Sequence, residues 1–195
     1  MTIASLLKTS EKKLRRSLCH SNSARLDAEV LLSHVLGRDR TRIAAYPELE
    51  LTDTQTRKFY ALIRRRARHE PVAYLIGHKE FYGLDFRVDR RVLIPRPETE
   101  LLVELALCRA GIHSLRGGLN INPHAAKNFI DVGTGSGAIA IALAKTIPNA
   151  RVMATDASAT ALRVARANAK IHDIADRIKF VRANLLPPHV HAFAH

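Results

Sequence analysis

The sequence predicts an α/β protein, and three observations carry that prediction. Residues 1–75 repeat apolar side chains at helical spacing. Residues 76–128 open with a short stretch that alternates apolar and polar side chains. From Phe129 onward the chain reads strand, helix, strand, helix, strand. The last pattern requires parallel pairing with right-handed crossovers, and its three strands amount to the first half of a doubly wound sheet. The expected organisation is a helical amino-terminal domain (1–75), a hairpin, helix and loop linker (76–128), and a partial parallel-sheet domain (129–195).

In the helical front, Leu26, Val30, Leu31, Val35 and Leu36 form an apolar stripe, with Gly37 as a stop. Thr52 and Gln55 have the spacing of a capping box, which opens a helix running into Arg64, Arg65, Arg66 and Arg68. Pro71 is expected to end it. Next, Phe81, Leu84, Phe86 and Val88 interleave with polar residues around Gly83, a hairpin signal. In RPETELLVELALCRAG, Pro97 suits a first helical position, Glu98 and Glu100 suit a first turn, and Gly111 suits a stop. Residues 111–128 carry no period and read as an exposed loop. The strands are then FIDVG, RVMATD and IKFVRA, and the helices SGAIAIALAKTI and SATALRVARANAKIH.

Composition narrows the class. The chain has 195 residues, 47% of them hydrophobic, enough for a sizeable core. No run of 18 apolar residues occurs, and the amino terminus has its apolar stretch before its charges, so neither a membrane span nor a signal peptide is expected. Cys19 and Cys108 have no metal spacing and fit a reduced, cytoplasmic setting. The net charge of +13 divides into +7 over residues 1–75 and +6 over the rest. The arginine run is read as a solvated helix face, with contact to RNA or an acidic protein as the sharper alternative. No aromatic RNA-binding motif or zinc finger points to dedicated nucleic-acid binding.

Chemistry concentrates at FIDVGTGSGAIAIALA, residues 129–144. Glycines at 133, 135 and 137 join a strand to a helix, as in the nucleotide-side turn of a Rossmann-like sheet. Gly133 lets the chain turn, Gly135 lets a ligand approach, and Gly137 lets helix and strand pack. The pattern fits NAD as well as S-adenosylmethionine. Asp131 tips the balance, because a carboxylate beside the loop repels a pyrophosphate and suits an ammonium or sulfonium ligand. Asp156, at the end of the second strand, can accept hydrogen bonds from ribose hydroxyls. Its other role would be a helix N-cap, for which Ser158 competes.

PVAYLIGHKEFYGLDFRVDRRVLIPRPETELLVE, followed by FIDVGTGSGAIAIALA and ATD, resembles the HemK/PrmC family of protein-glutamine methyltransferases. The resemblance reaches into LDAEVLLSHVLGRDR and RRRARHEPVAYLIG and covers nearly the whole chain. It implies a helical docking domain, a hairpin linker and a Rossmann-like S-adenosylmethionine-dependent domain. It also implies methylation of the glutamine amide in the Gly-Gly-Gln motif of peptide chain release factors. By that resemblance Gly133, Thr134, Gly135, Ser136 and Gly137 form the methionine-side loop and Asp156 takes the ribose. Asn184 stands where the family usually carries an aspartate near the adenine amine.

The family's Asn-Pro-Pro-Tyr tetrapeptide, which grips the amide, has no counterpart in these 195 residues. Asn122-Pro123-His124 lies upstream of the first strand, and Pro187-Pro188 lacks the asparagine and the tyrosine. No catalytic residue is therefore assigned. The chain is expected to be truncated and inactive alone, with a non-catalytic fragment that docks a release factor or ribosome as the alternative, and an NAD-dependent oxidoreductase the more distant one. His189, His191 and His195 read as a polar end rather than a metal site. Arg96, Glu98 and Glu100 read as a capped helix start or as support for the cofactor cleft.

Overall fold

The computed structural model describes residues 1–18, 23–115, 118–121 and 128–186. The backbone divides into two compact units, Met1–Gly77 and His78–His195.

The first unit is helical throughout: α1 (Ile3–Ser17), α2 (Ala24–Leu36), α3 (Arg40–Ala45), α4 (Asp53–Arg66) and α5 (Val72–Ile76). Thr2 caps α1 by accepting from the Ser5 amide. Thr52 and Gln55 form the expected reciprocal capping box at α4. Ile3, Leu6, Leu7 and Leu14 of α1, Leu31 and Leu32 of α2, and Phe59 and Ile63 of α4 make one core.

Two expectations are corrected here. The buried face of α2 is Ala24, Asp27, Ala28, Leu31 and Leu32. Leu26, placed in the expected stripe, is 44% exposed. Small residues at 24 and 28 let the neighbouring helices approach closely, which rotates the contact face away from Leu26. The carboxylate at 27 is admitted to that face by an ion pair, Arg66 Nε donating to Asp27 Oδ2 at 2.7 Å. In addition, α4 ends before Pro71 is reached. His69 adopts φ 65°, and the Glu70 and His69 amides close back on the carbonyls of Arg65 and Arg66.

The second unit begins with β1 (His78–Phe81) and β2 (Leu84–Arg87), an antiparallel hairpin. Its turn places Tyr82 and Gly83 at φ 52° and 71°, the geometry whose twist suits tight hairpins. Phe81 and Phe86 are buried edge to face, with centroids 6.1 Å apart. A single 3₁₀ turn, Pro97–Thr99, leads into α6 (Glu100–Arg109). Residues 111–128 are not simply a loop: β3 (Ile112–Leu115) pairs antiparallel with β4 (Gly118–Ile121). IHSL and LNI flank a Gly-Gly pair, a hairpin signal that the missing helical period obscured.

The parallel sheet comprises β5 (Asn128–Val132), β6 (Arg151–Asp156) and β7 (Ile178–Arg182), in the order β5-β6-β7. Helices α7 (Ala138–Thr146) and α8 (Ala159–Ile171) are the crossovers. Helix α7 is apolar nearly all round and buried nearly all round, as such a helix must be. On β5, Asp131 faces α7, whereas Ile130 and Val132 point to the opposite face and are exposed. That alternation is the period of two expected of a strand covered on one side. Among the described residues no helix is long and apolar enough to cross a membrane.

Candidate cofactor site

The site lies at the carboxyl end of the parallel sheet, where β5 hands over to α7. The Gly133 and Thr134 amides both donate to the Thr155 carbonyl on β6, at 2.9 Å each. This bends the loop over the neighbouring strand. The Gly137 amide then donates to the Thr134 carbonyl at 2.8 Å, closing the turn before α7 starts.

The glycines have separable reasons. Gly137 sits at φ 84°, and a Cβ there would come within 3.0 Å of Ile141 Cδ1 and 3.2 Å of Ala165 Cβ. Its partner in close packing is thus helix α8, not the strand expected from the sequence. Gly135 sits at φ 55°, where side chains are disfavoured, and its Cβ would meet nothing nearer than the Gly133 carbonyl at 3.9 Å. The space beside Gly135 is open, as a loop that receives a ligand requires.

Asp156 ends β6 and joins the loop to the next helix. Its Oδ2 accepts from the Gly135 amide at 2.9 Å and its Oδ1 accepts from the Ser158 amide at 2.8 Å. Ser158 takes the N-cap of α8, with its hydroxyl accepting from the Ala161 amide. The N-cap alternative for Asp156 is therefore filled by its competitor. Asp156 is half-buried, and each carboxylate oxygen retains a lone pair for a further donor.

Asp131 is bonded within the loop itself. It is 8% exposed, and one oxygen, Oδ2, accepts from Thr134 Oγ1 at 2.6 Å and from the Ala140 amide at 3.2 Å. The carboxylate thereby braces the loop against the first turn of α7. Burial pushes its pKa up from the ordinary value, with the nearby Asp156 charge adding to the rise, while the bonds from Thr134 and Ala140 pull it down. Ser136 is buried, and its carbonyl accepts from Asn168 Nδ2 at 2.8 Å. Asn184 is exposed on the bend that follows β7. That bend is held to the same end of the sheet: the Ala183 amide donates to the Asp156 carbonyl, and Thr155 Oγ1 donates to the Leu185 carbonyl at 3.0 Å.

The remaining sequence candidates make other contacts or lie outside the described residues. Glu100 opens α6, and its Oε1 accepts from the Tyr82 amide at 2.9 Å, so it pins the hairpin turn. Arg65 pairs with Glu70 through two bonds of 2.7 Å, and Arg66 with Asp27. Half of the arginine run is thus engaged within its own unit, and Arg64 and Arg68 remain exposed. Cys19, Asn122, Pro123, His124, Pro187, Pro188, His189, His191 and His195 lie outside the described residues. Among the described residues no group of three or more His, Cys, Asp or Glu could hold a metal.

A strand, a left-handed glycine loop, a packed helix and a carboxylate at the tip of the next strand together make a Rossmann-like nucleotide-binding turn. Residues 119–193 match the family profile described as "Methyltransferase small domain". Residues 5–77 match "PrmC N-terminal domain". "Release factor glutamine methyltransferase" of Chlorobaculum tepidum is 44% identical over 190 residues, covering 95% of this chain and 60% of that protein. The Coxiella burnetii protein of the same name is 44% identical over 154 residues, covering 79% and 52%. A "Bifunctional methyltransferase" of Rickettsia bellii is 35% identical over 178 residues, covering 84% and 32%. Through both of its units the chain is similar to the PrmC/HemK release factor glutamine methyltransferases. It spans 60% or less of the length of these three relatives.

Proposed function

We propose that residues 128–186 form the methyl-donor half of an S-adenosylmethionine-dependent methyltransferase acting on the glutamine side-chain amide of a peptide chain release factor. The observation that carries this reading is the Asp156 carboxylate, tied to Gly135 and Ser158 beside an open, left-handed glycine loop. Asp156 would receive the ribose hydroxyls, Gly133 to Gly137 would pass under the methionine portion, and Asn184 would face the adenine side. Asp131 would support a positive ligand from below. When bound, S-adenosylmethionine supplies a methyl group on a sulfonium centre.

The residues of this chain hold and orient the donor. An amide nitrogen is a poor nucleophile because its lone pair is delocalised, so transfer depends on holding it in line with the methyl group. No described residue is arranged to do that. The 195-residue chain alone therefore transfers no methyl group to a release factor, and the activity belongs to a protein of the relatives' length. The helical unit, with Arg64 and Arg68 exposed, is the surface on which a release factor would dock, in a cytoplasmic setting. A radiolabelled methyl-transfer assay on a release factor tests this, with the 195-residue chain run beside a chain extended to the relatives' length. Turnover by the extended chain alone supports the reading. Turnover by the short chain would place the amide site among residues 1–195.

A further inference from the structure

A side chain with no role in the sequence reading makes three hydrogen bonds to two distant segments of the second unit. Asn168 lies in α8, is 0% exposed, and has every polar atom engaged. Its Nδ2 donates to the Ser136 carbonyl at 2.8 Å and to the Arg87 carbonyl at 3.0 Å. Its Oδ1 accepts from the Arg87 amide at 2.9 Å. One amide thus closes a pair of bonds on the last residue of the hairpin and a third on the glycine-rich loop. These partners lie 81 and 32 residues away in sequence. A buried primary amide is the side chain that can do this, since it presents donors and an acceptor on one plane.

Four residues further along the same face of α8, His172 makes a second contact with the hairpin only. Its Nε2 lies 2.9 Å from the Asp85 carbonyl, and its ring sits 5.3 Å from that of Phe86. Asn168 and His172 thus hold the hairpin at two points besides the Glu100 bond to its turn, and of these Asn168 also bonds the loop. Ser136 stands between Gly135 and Gly137. Fixing its carbonyl fixes the Ser136–Gly137 peptide plane, where the loop enters α7, while the Gly135 amide before it is held by Asp156.

We propose that Asn168 is a positioning residue for the cofactor loop, tying the Ser136 peptide to the end of the hairpin so that the two move as one body. This rests on the methyl-donor reading for its functional consequence and on the geometry alone for its mechanical one. The consequence is that displacement of the hairpin reaches the loop through the Asn168 side chain. Removing a partner from a buried hydrogen-bonded group leaves the others unsatisfied, and that penalty falls on the loop and the hairpin together.

The experiment is amide hydrogen exchange on the wild-type chain, Asn168→Asp and His172→Ala, with S-adenosylhomocysteine titrated into each. Asn168→Asp keeps the acceptor for Arg87 and loses both donors. It is expected to speed exchange at residues 133–137 and 85–88 by about tenfold or more, while β6 stays protected. His172→Ala is expected to speed exchange at 85–88 alone. Affinity for S-adenosylhomocysteine is expected to fall about tenfold or more in Asn168→Asp and less than about twofold in His172→Ala. Unchanged exchange at 133–137 in Asn168→Asp overturns the proposal, as does a uniform rise across β5, β6 and β7, which would make Asn168 a general core residue. If Asn168→Asp does not fold, Asn168→Ser, which retains a single donor, is read in the same way. Failure of wild type to bind S-adenosylhomocysteine removes the cofactor reading but leaves the exchange result to decide the tie.

Discussion

The two units bury polar groups for opposite ends. In the helical unit the buried polar side chains are Ser10 and Asp27, on different helices, and Asp27 is matched by Arg66 within the same core. In the second unit Asp131, Thr134, Ser136, Thr155 and Asn168 are all buried and all lie within one turn of the glycine loop or directly bond it. Scattered polar burial serves packing. Concentrated polar burial fixes a loop whose own sequence, with glycines at alternate positions, would not hold its shape. The difference marks the glycine loop independently of its sequence motif.

The sharpest way to break the comparison is at the one ion pair of the helical core. Arg66→Ala leaves the Asp27 carboxylate buried without its partner and is expected to destabilise the first unit by about 3–5 kcal/mol. Denaturant unfolding followed by circular dichroism reads this. A loss below about 1 kcal/mol would mean that the pair behaves as a surface pair.

A second contrast lies between two glycines. Gly137→Ala drives a methyl group against Ile141 and Ala165 at a left-handed backbone position, and is expected to cost about 2–4 kcal/mol. Gly135→Ala carries the backbone strain alone, about 1–2 kcal/mol. Its larger effect is on ligand affinity, because the methyl group enters the open side of the loop. If Gly135→Ala retained full affinity for S-adenosylhomocysteine, the open space would not be ligand space.

Asp131 offers a pH test. Its native pKa is raised, so between the ordinary carboxylate value and that raised value the folded chain holds more proton than the unfolded one. Stability from this group is therefore lost as pH rises through that window, and the loss persists above it. Asp131→Asn keeps an oxygen for Thr134 and Ala140 and removes the titration. Its stability relative to wild type is expected to improve as pH rises through the window and then level off. A flat difference across pH would show that the carboxylate is not held under strain. The smallest expected effect is in the helical unit: Ser10 Oγ is buried without a partner among the described residues. Ser10→Ala is expected to stabilise by about 1 kcal/mol, visible as a higher Tm.

Much of this was legible in the sequence because it is local. The capping box at Thr52, the hairpin around Gly83, the strand–helix alternation and the glycine loop are each written within about a dozen residues. What was not legible depends on distant partners. Leu26 looks like a core residue until the alanines at 24 and 28 set the close face of α2. The bonds of Asp131 to Thr134 and to the first turn of α7 appear only once the fold lays that helix across it. Asn168 reads only as a weak helix former, because nothing within its own helix shows that Ser136 and Arg87 will arrive beside it. Arg66 reads as a solvated charge until Asp27 is found against it.

The account stands or falls on the Asp156 corner. Calorimetric titration of the chain and of Asp156→Ala with S-adenosylhomocysteine and with NAD tests it most directly. The account predicts saturable binding of S-adenosylhomocysteine, weaker or no binding of NAD, and loss of S-adenosylhomocysteine binding in Asp156→Ala. Tighter binding of NAD, or S-adenosylhomocysteine affinity unaffected by Asp156→Ala, would contradict it.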